Sequence, residues 1–159
     1  MSNNIDTIYL DLDGVICDFR KGCERLGAIE GYVVDWEKVH AEGSLFWAEL
    51  EWTEDGQKFY NWLERFCDEQ GIDLCILSQV AYQDGIDGKY EWLRNNTRIP
   101  NKNIYIVKTG KAKAKFACPN ALLIDDFGKN VEHFILGGGK AIKFNNAKQA
   151  KTDILDVIK

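Results

Sequence analysis

Two aspartates separated by one residue, Asp11 and Asp13, are the side chains of this sequence best placed to do chemistry. They follow the apolar residues 8–10, a pattern typical of a buried strand, and they precede Gly14. Alternate side chains of an extended chain lie on the same face, so we expect the two carboxylates to be neighbours. Neighbouring carboxylates repel each other unless a cation lies between them or one of them carries a proton.

This pair predicts a metal site that contains a nucleophile at the end of a strand. Mg²⁺ prefers oxygen ligands, often one or two carboxylates together with a substrate phosphate. A carboxylate can also attack phosphorus and form an aspartyl-phosphate. A calcium-binding loop that starts at Asp11 would need glycine and glutamate where Ile16 and Gly22 stand, so that interpretation fails. An ordinary turn remains an alternative.

The composition indicates an ordinary globular protein. The 159 residues are 45% hydrophobic and 28% charged, enough for one domain with a core. The formal net charge of −5 makes nucleic acid an unexpected partner, because phosphate backbones favour basic surfaces. A pocket for one small phosphate compound is compatible with this balance.

The cysteines and the apolar runs predict a cytoplasmic location without a membrane partner. Five cysteines occur without a CxxC pair, which favours reduced thiols, and only His40 and His133 could join them in a zinc site. No apolar run reaches membrane-spanning length. Residues 1–6 lack the basic and apolar pattern of a signal peptide.

Strand and helix patterns alternate along the chain, which indicates an α/β fold with a mainly parallel sheet. We expect a Rossmann-like three-layer α/β/α sandwich formed by a single domain of residues 1–159. Predicted strands cover about residues 5–11, 72–77, 104–107, 121–124 and 141–144. Predicted helices cover about residues 17–26, 59–70, 86–95, 111–117, 129–136 and 147–158. A partly helical insertion, which spans about residues 20–55, is expected to form a small cap.

Polar residues lie where the predicted strands end. Asp11 and Asp13 follow the first strand, and Ser78 and Gln79 follow the second. Ligands of open α/β sheets bind beyond the carboxyl ends of the strands, so these residues are expected to share one site. The other members of the predicted site are Asp125 and Asp126 after the fourth strand, and one lysine among Lys111, Lys113 and Lys115.

These segments resemble the four motifs of the haloacid dehalogenase (HAD) superfamily of phosphotransferases. The first motif is Asp11-Leu-Asp-Gly-Val, the second ends at Ser78, the third is a lysine, and the fourth is Asp125-Asp126. Residues 11–19, residues 89–93 and the insertion with Phe46-Trp47 are similar to the 5′(3′)-deoxyribonucleotidase branch.

The resemblance implies a role for each site residue. Asp11 would be the nucleophile, and Asp13 would serve as general acid and then general base. Mg²⁺ would be held by Asp11, the backbone carbonyl of Asp13 and Asp125, with Asp126 on a metal-bound water or on the lysine. Ser78 would bind the phosphate. The lysine would neutralise phosphoryl charge. Lys113 best matches the family pattern, with Lys111 and Lys115 as alternatives.

The resemblance also predicts a substrate, a nucleotide whose base stacks on Phe19, Phe46 and Trp47 beside Gln79. The expected activity is a Mg²⁺-dependent phosphomonoester hydrolase, a 5′(3′)-deoxyribonucleotidase for (deoxy)nucleoside monophosphates. Alternatives are a phosphatase for another small phosphometabolite or for a 3′-phosphate polynucleotide end, a phosphotransferase to an alcohol, and a non-catalytic binding protein. The sequence predicts neither the base preference nor the oligomeric state.

Overall fold

Seven β-strands occur in the computed structural model, which describes residues 4–159. In chain order they are β1 (Thr7–Leu10), β2 (Ile29–Glu30), β3 (Val33–Val34), β4 (Asp73–Gln79), β5 (Ile104–Val107), β6 (Ala121–Asp125) and β7 (Lys140–Lys143). One sheet has the order β5-β4-β1-β6-β7, and every neighbouring pair is parallel. The strands β2 and β3 form a separate antiparallel pair. Residues 1–3 lie outside the described residues. They belong to the segment of residues 1–6, in which the sequence predicts no signal peptide.

Helices cover both faces of the parallel sheet. They are α1 (Phe19–Arg25), α2 (Trp36–Ala41), α3 (Ser44–Ala48), α4 (Gly56–Gln70), α5 (Gln83–Asn96), α6 (Gly128–Leu136) and α7 (Ala147–Ile158), with 3₁₀ helices at Asn101–Asn103 and Lys111–Phe116. Leu10 and Ile124 pack in a core cluster with Phe59 of α4, whereas Leu123 packs with Phe134 of α6 in a second cluster. Alternate strand residues therefore face opposite helical layers, which confirms the predicted three-layer α/β fold.

Within residues 4–159, no helix is both long enough and apolar enough to cross a membrane.

The amphipathic spacing of α4 explains how this helix packs. Phe59 and Leu63 are one helical turn apart and fully buried. Trp62 and Phe66 lie at the margin of the same face, half-buried, with their rings stacked at 5.1 Å. The helix ends at Gly71, whose φ of +69° is a left-handed conformation that glycine adopts without strain.

The segment between β1 and α4 contains α1, the β2–β3 pair, α2 and α3. Asp18 caps α1, because its carboxylate accepts a hydrogen bond from the backbone N–H of Lys21 at 3.0 Å. The segment is attached to the sheet domain mainly where α3 packs against α5. Gly88 of α5 allows this contact, since a Cβ there would lie 2.4 Å from the carbonyl oxygen of Ser44.

The loop after β1 differs in conformation from the predicted one. The strand ends at Leu10, and α1 begins at Phe19 rather than near Cys17. The carbonyl of Leu12 accepts hydrogen bonds from the N–H groups of residues 15–17, and Cys17 forms a backbone bridge with Trp52. The segment is therefore a tight turn instead of the start of a helix.

Boundaries also differ along the rest of the chain: α4 begins at Gly56 and α5 at Gln83, each three residues before its predicted start. The strand β4 continues to Gln79, so that Ser78 and Gln79 are its last two residues. The lysine segment forms a 3₁₀ helix, and β7 begins at Lys140, one residue before the predicted start.

Candidate active site

The carboxyl edge of the sheet brings together the polar residues predicted from the strand ends. Asp11 directly follows β1, and its N–H still donates to the carbonyl of Ile124 at 3.0 Å. Asp125 is the last residue of β6 and Ser78 lies near the end of β4, the two strands that flank β1. Asp11, Ser78 and Asp125 are all buried, so their polar groups depend on one another or on a ligand.

Lys113 is the lysine that joins this cluster. Its ammonium lies 3.1 Å from Oδ1 of Asp11 and 2.8 Å from Oδ2 of Asp125, and only 2% of the residue is exposed. Lys111 and Lys115 are exposed on the same 3₁₀ helix. Because side chains two residues apart on a 3₁₀ helix point in different directions, only one of these three lysines can face the carboxylates.

Asp125 is held in place by further hydrogen bonds. Its Oδ1 accepts from the backbone N–H of Phe127 at 2.9 Å, and its Oδ2 accepts from Nδ2 of Asn130 at 3.1 Å. Asn130 of α6 is itself buried and was missed by sequence reasoning. Its position three residues after Phe127 gave no signal that distinguishes it from a helix-surface asparagine.

Three carboxylates form a group that fits a hard cation. One oxygen each of Asp11, Asp125 and Asp126 lies within 4.8 Å of the other two. A cluster of this kind offers the oxygen ligands that Mg²⁺ prefers. Gly14 makes room for it, because a Cβ at this position would lie 2.0 Å from Oδ2 of Asp126, and its φ is +80°. The residues present therefore fit the predicted metal.

The charges of this cluster are strongly coupled. Burial raises the pKa of Asp11 well above its usual range; Lys113 opposes this shift, whereas the neighbouring carboxylates add to it. Burial and the charge of Asp125 raise the pKa of Asp126 to about 6. Burial by itself lowers the pKa of Lys113, but Asp11 and Asp125 outweigh it and the net shift is upward. The cluster thus favours additional positive charge.

Asp13 is paired with a lysine that sequence reasoning did not assign to the site. Nζ of Lys89, on α5, lies 2.8 Å from Oδ2 of Asp13, and only 2% of Lys89 is exposed. A signal was present in the sequence: Lys89 shares its buried helix face with Gly85, Gly88 and Trp92, at helical spacing. A lysine on such a face needs a buried partner.

Two buried polar atoms of this region have no hydrogen-bond partner among the residues that the structure describes. They are Oδ1 of Asp13 and Oγ of Ser78. Buried polar atoms are nearly always paired in folded proteins, so these two are candidates for ligand contacts.

A cavity of about 590 Å³ adjoins Asp13. Its other lining residues are Phe19, Trp36, His40, Trp47, Gln79, Val80, Ala81 and Tyr82. The rings of Phe19 and Trp47 stack at 5.4 Å with an interplanar angle of 20°. Nε1 of Trp47 donates a hydrogen bond of 2.7 Å to the hydroxyl of Tyr82, which fixes the indole in the wall.

The structure separates the residues predicted to face a base. Phe19, Trp47 and Gln79 line the cavity, but Phe46 does not. Phe46 is buried with its ring edge-on to Phe19 at 5.7 Å and to Trp47 at 5.1 Å, so it supports the wall from behind. Trp36, His40 and Tyr82 also line the cavity and were not predicted. Trp36 and His40 reach it through the fold of the insertion, whereas Tyr82 lies just after β4, at the start of α5.

No known protein-family model matches this sequence, and no curated protein matches it. The fold is similar to that of an uncharacterized protein from Corynebacterium glutamicum (TM-score 0.59, 15% identity, covering 98% of this chain and 96% of that chain). It is also similar to a hydrolase from Streptococcus pneumoniae (TM-score 0.56, 13% identity, covering 96% and 99%).

A third similar structure is a HAD family enzyme from Bacteroides thetaiotaomicron, an aspartate-to-alanine mutant in complex with magnesium and inorganic phosphate. The TM-score is 0.51 at 13% identity, covering 89% of this chain and 95% of that chain. The chain has a HAD-type fold. In this HAD-type fold, the cluster around Asp11 and the cavity beside Asp13 lie at the same edge of the sheet, beyond β1 and β4.

Proposed function

We propose that this protein is a Mg²⁺-dependent phosphomonoester hydrolase of the HAD superfamily that acts through an aspartyl-phosphate on Asp11. The observation that carries the proposal is the buried Lys113, which bridges Asp11 and Asp125 beside a third carboxylate, Asp126. The unpartnered hydroxyl of Ser78 can donate a hydrogen bond to a phosphate oxygen, and the unpartnered Oδ1 of Asp13 lies in the same region. The magnesium and phosphate bound by the similar HAD family enzyme agree with this chemistry.

Asp11, Asp125 and Asp126 would hold the metal, together with the backbone carbonyl of Asp13. When bound, Mg²⁺ supplies positive charge that offsets the repulsion between the carboxylates and an incoming phosphate.

In the first step, a carboxylate oxygen of Asp11 attacks phosphorus, and the bond from phosphorus to the leaving oxygen breaks. The electron pair of that bond goes to the leaving oxygen, which takes a proton from the carboxyl group of Asp13. In the second step, water attacks the phosphorus of the aspartyl-phosphate and gives a proton to Asp13. The bond from phosphorus to Asp11 breaks, so that the Asp11 carboxylate is restored and inorganic phosphate is released.

Lys113 and Ser78 position and neutralise the phosphoryl oxygens during both steps. The ammonium of Lys113 already lies 3.1 Å from Oδ1 of Asp11, so it is beside the carboxylate that would bond to phosphorus. Preorganised donors of this kind contribute about 10²–10³-fold to turnover each.

The proposed substrate is a (deoxy)nucleoside monophosphate. The cavity beside Asp13 is lined by flat aromatic rings, and its volume of about 590 Å³ lies within the range of small-molecule sites. A nucleobase offers a flat π face that could stack on the ring of Phe19 or Trp47. We propose that residues 1–159 act as one domain in which the insertion of about residues 20–55 is a cap that forms this wall. The five free thiols suit a reducing, cytoplasmic compartment.

The test is phosphate release from a panel of 5′- and 3′-nucleoside monophosphates and sugar phosphates, with Mg²⁺ and with EDTA. We expect Mg²⁺-dependent release from deoxynucleotides. D11N should lower it by about 10³-fold or more, since it removes the nucleophile and keeps the side-chain size. D18N is the matched control, because asparagine caps a helix as well as aspartate does.

Each other outcome identifies the part of the proposal that fails. Activity of D11N near the wild-type rate would exclude the covalent mechanism, and activity in EDTA would exclude the metal. Release from sugar phosphates alone would exclude the nucleotide substrate but keep the chemistry.

A further inference from the structure

The ammonium of Lys89 is buried between the cavity wall and Asp13. Within the described residues, its hydrogen bond of 2.8 Å to Oδ2 of Asp13 is the only one that it makes. The same nitrogen lies 4.7 Å from the centre of the Trp47 ring, a cation–π distance. Lys89 therefore connects the aromatic wall to the carboxylate that adjoins it.

A lysine in this position is not needed for packing. Buried ion pairs can often be replaced by apolar side chains of similar volume without loss of stability, so burial alone does not account for the charge. The neighbouring buried positions of α5 are filled by Gly85, Gly88 and Trp92, none of which carries a charge. What distinguishes Lys89 from an apolar residue is its hydrogen-bonded ion pair with one oxygen of Asp13.

This ion pair leaves the two oxygens of Asp13 in different environments. Oδ2 is occupied by Lys89, whereas Oδ1 is buried and has no hydrogen-bond partner among residues 4–159. Asp13 also lines the aromatic cavity, and it is close enough to Asp11 for the charges of the two carboxylates to interact. One oxygen is held by Lys89, and the other has no protein partner that would compete with a ligand for it.

We propose that Lys89 is a positioning residue for the hydrolysis, which fixes the carboxylate of Asp13 so that Oδ1 faces the leaving oxygen. The inference rests on the proposed phosphatase activity. Lys89 itself touches neither substrate nor metal; it acts through Asp13. Replacing Lys89 should therefore lower activity as a misplaced general acid does. It should not have the effect of removing a phosphate-binding group.

The test compares two substrates that differ in their need for an acid. The leaving alkoxide of a deoxynucleoside monophosphate must be protonated, whereas p-nitrophenolate leaves without a proton. K89M should lower kcat/KM for the deoxynucleotide by about 10²-fold, within the range of general acid catalysis, and for p-nitrophenyl phosphate by less than about threefold. R94M, an exposed cation removed from the same helix, is the matched control and should change neither value.

A double-mutant cycle separates positioning from an independent effect. D13N should show the same dependence on the leaving group as K89M. Adding K89M to D13N should lower kcat/KM no further, because both changes disable the same Lys89–Asp13 pair. K89Q, which keeps a polar side chain, serves in place of K89M if K89M does not fold, as judged by circular dichroism.

Equal losses of kcat/KM on both substrates, or additive losses in the cycle, would overturn the positioning role while the phosphatase proposal stands. A wild-type protein that releases phosphate from neither substrate would overturn both proposals.

Discussion

Two buried lysines form ion pairs with three of the four carboxylates of the site. Lys113 forms ion pairs with Asp11 and Asp125, and Lys89 forms one with Asp13. Each lysine is 2% exposed, so neither charge is solvated in the folded protein. Removing one partner of such a pair is typically destabilising by about 3–5 kcal/mol, since it leaves an uncompensated buried charge. Variants of this site therefore need a stability measurement beside each rate.

Phe19 allows the substrate class to be tested at a single side chain. Its ring lines the cavity and stacks on Trp47, so F19A should weaken stacking with a base. We expect KM for deoxynucleotides to rise by about 2–10-fold, the value of one aromatic pair, with KM for a small sugar phosphate unchanged. F66A is the control, because Phe66 is also half-buried and stacked but lies on α4 outside the cavity lining. Equal changes of KM on both substrates would contradict a base-facing role.

The residue types of the site were predictable, but some partners were not. Spacing after the apolar strands indicated Asp11, Asp13 and Asp125, because strand ends meet at one edge of a parallel sheet. The partner of Asp13 is 76 residues away in sequence, and no local pattern encodes such a distance. Lys89 was visible as a lysine on a buried helix face, yet its partner required the tertiary structure.

At the scale of elements, the packing of α3 on α5 couples the insertion to the site. Trp47 lies on α3 and Lys89 on α5, and the two side chains meet between the helices. Helices with regular apolar periodicity, such as α4 and α7, were predicted near their observed bounds. The insertion was not predicted in detail, because its aromatic residues suit a core and a cavity wall equally well.

Gly88 is the residue on which this helix contact depends. G88A would place a Cβ 2.4 Å from the carbonyl of Ser44 and 2.6 Å from Cβ of Trp47, so α3 must move. We expect the free energy of unfolding to fall by about 1–3 kcal/mol, as for overpacked cores, measured by urea denaturation. G128A is the matched control: a Cβ at Gly128 meets no atom within 4 Å, and its unfolding free energy should be unchanged or slightly higher. A G88A protein as stable as G128A would show that α3 and α5 do not need this close approach.

At the scale of the whole molecule, the strand order determines which residues meet. Asp11 directly follows the central strand β1, and the neighbouring strands β4 and β6 contain Ser78 and Asp125. The alternation of strands and helices predicted a parallel sheet, but several strand orders satisfy that pattern. The order observed here places the proposed nucleophile Asp11 between the proposed phosphate ligand Ser78 and the proposed metal ligand Asp125, so the topology agrees with the proposed chemistry.

The burial of thiols throughout the core gives the folded protein a stability that depends on pH. Burial raises the pKa of Cys67 from 9.0 to about 12, and those of Cys23 and Cys75 to about 11. Between about pH 9 and these values, the unfolded chain loses thiol protons that the folded protein keeps. The folded state then binds more protons, so the free energy of unfolding must fall as the pH rises through this window.

Replacing the most strongly shifted of these thiols tests this linkage. From pH 8 to pH 10.5 the wild-type free energy of unfolding should fall, with Cys67 contributing about 2 kcal/mol at 1.4 kcal/mol per pH unit above its unfolded pKa. C67A should be less stable than the wild type at pH 8, because packing is lost. Its free energy of unfolding should nevertheless fall less between the two pH values. C118A, which removes an exposed thiol, should keep the wild-type difference. Urea denaturation in reducing buffer at both pH values measures each difference, and identical values for C67A and C118A would mean that burial of Cys67 does not hold its proton.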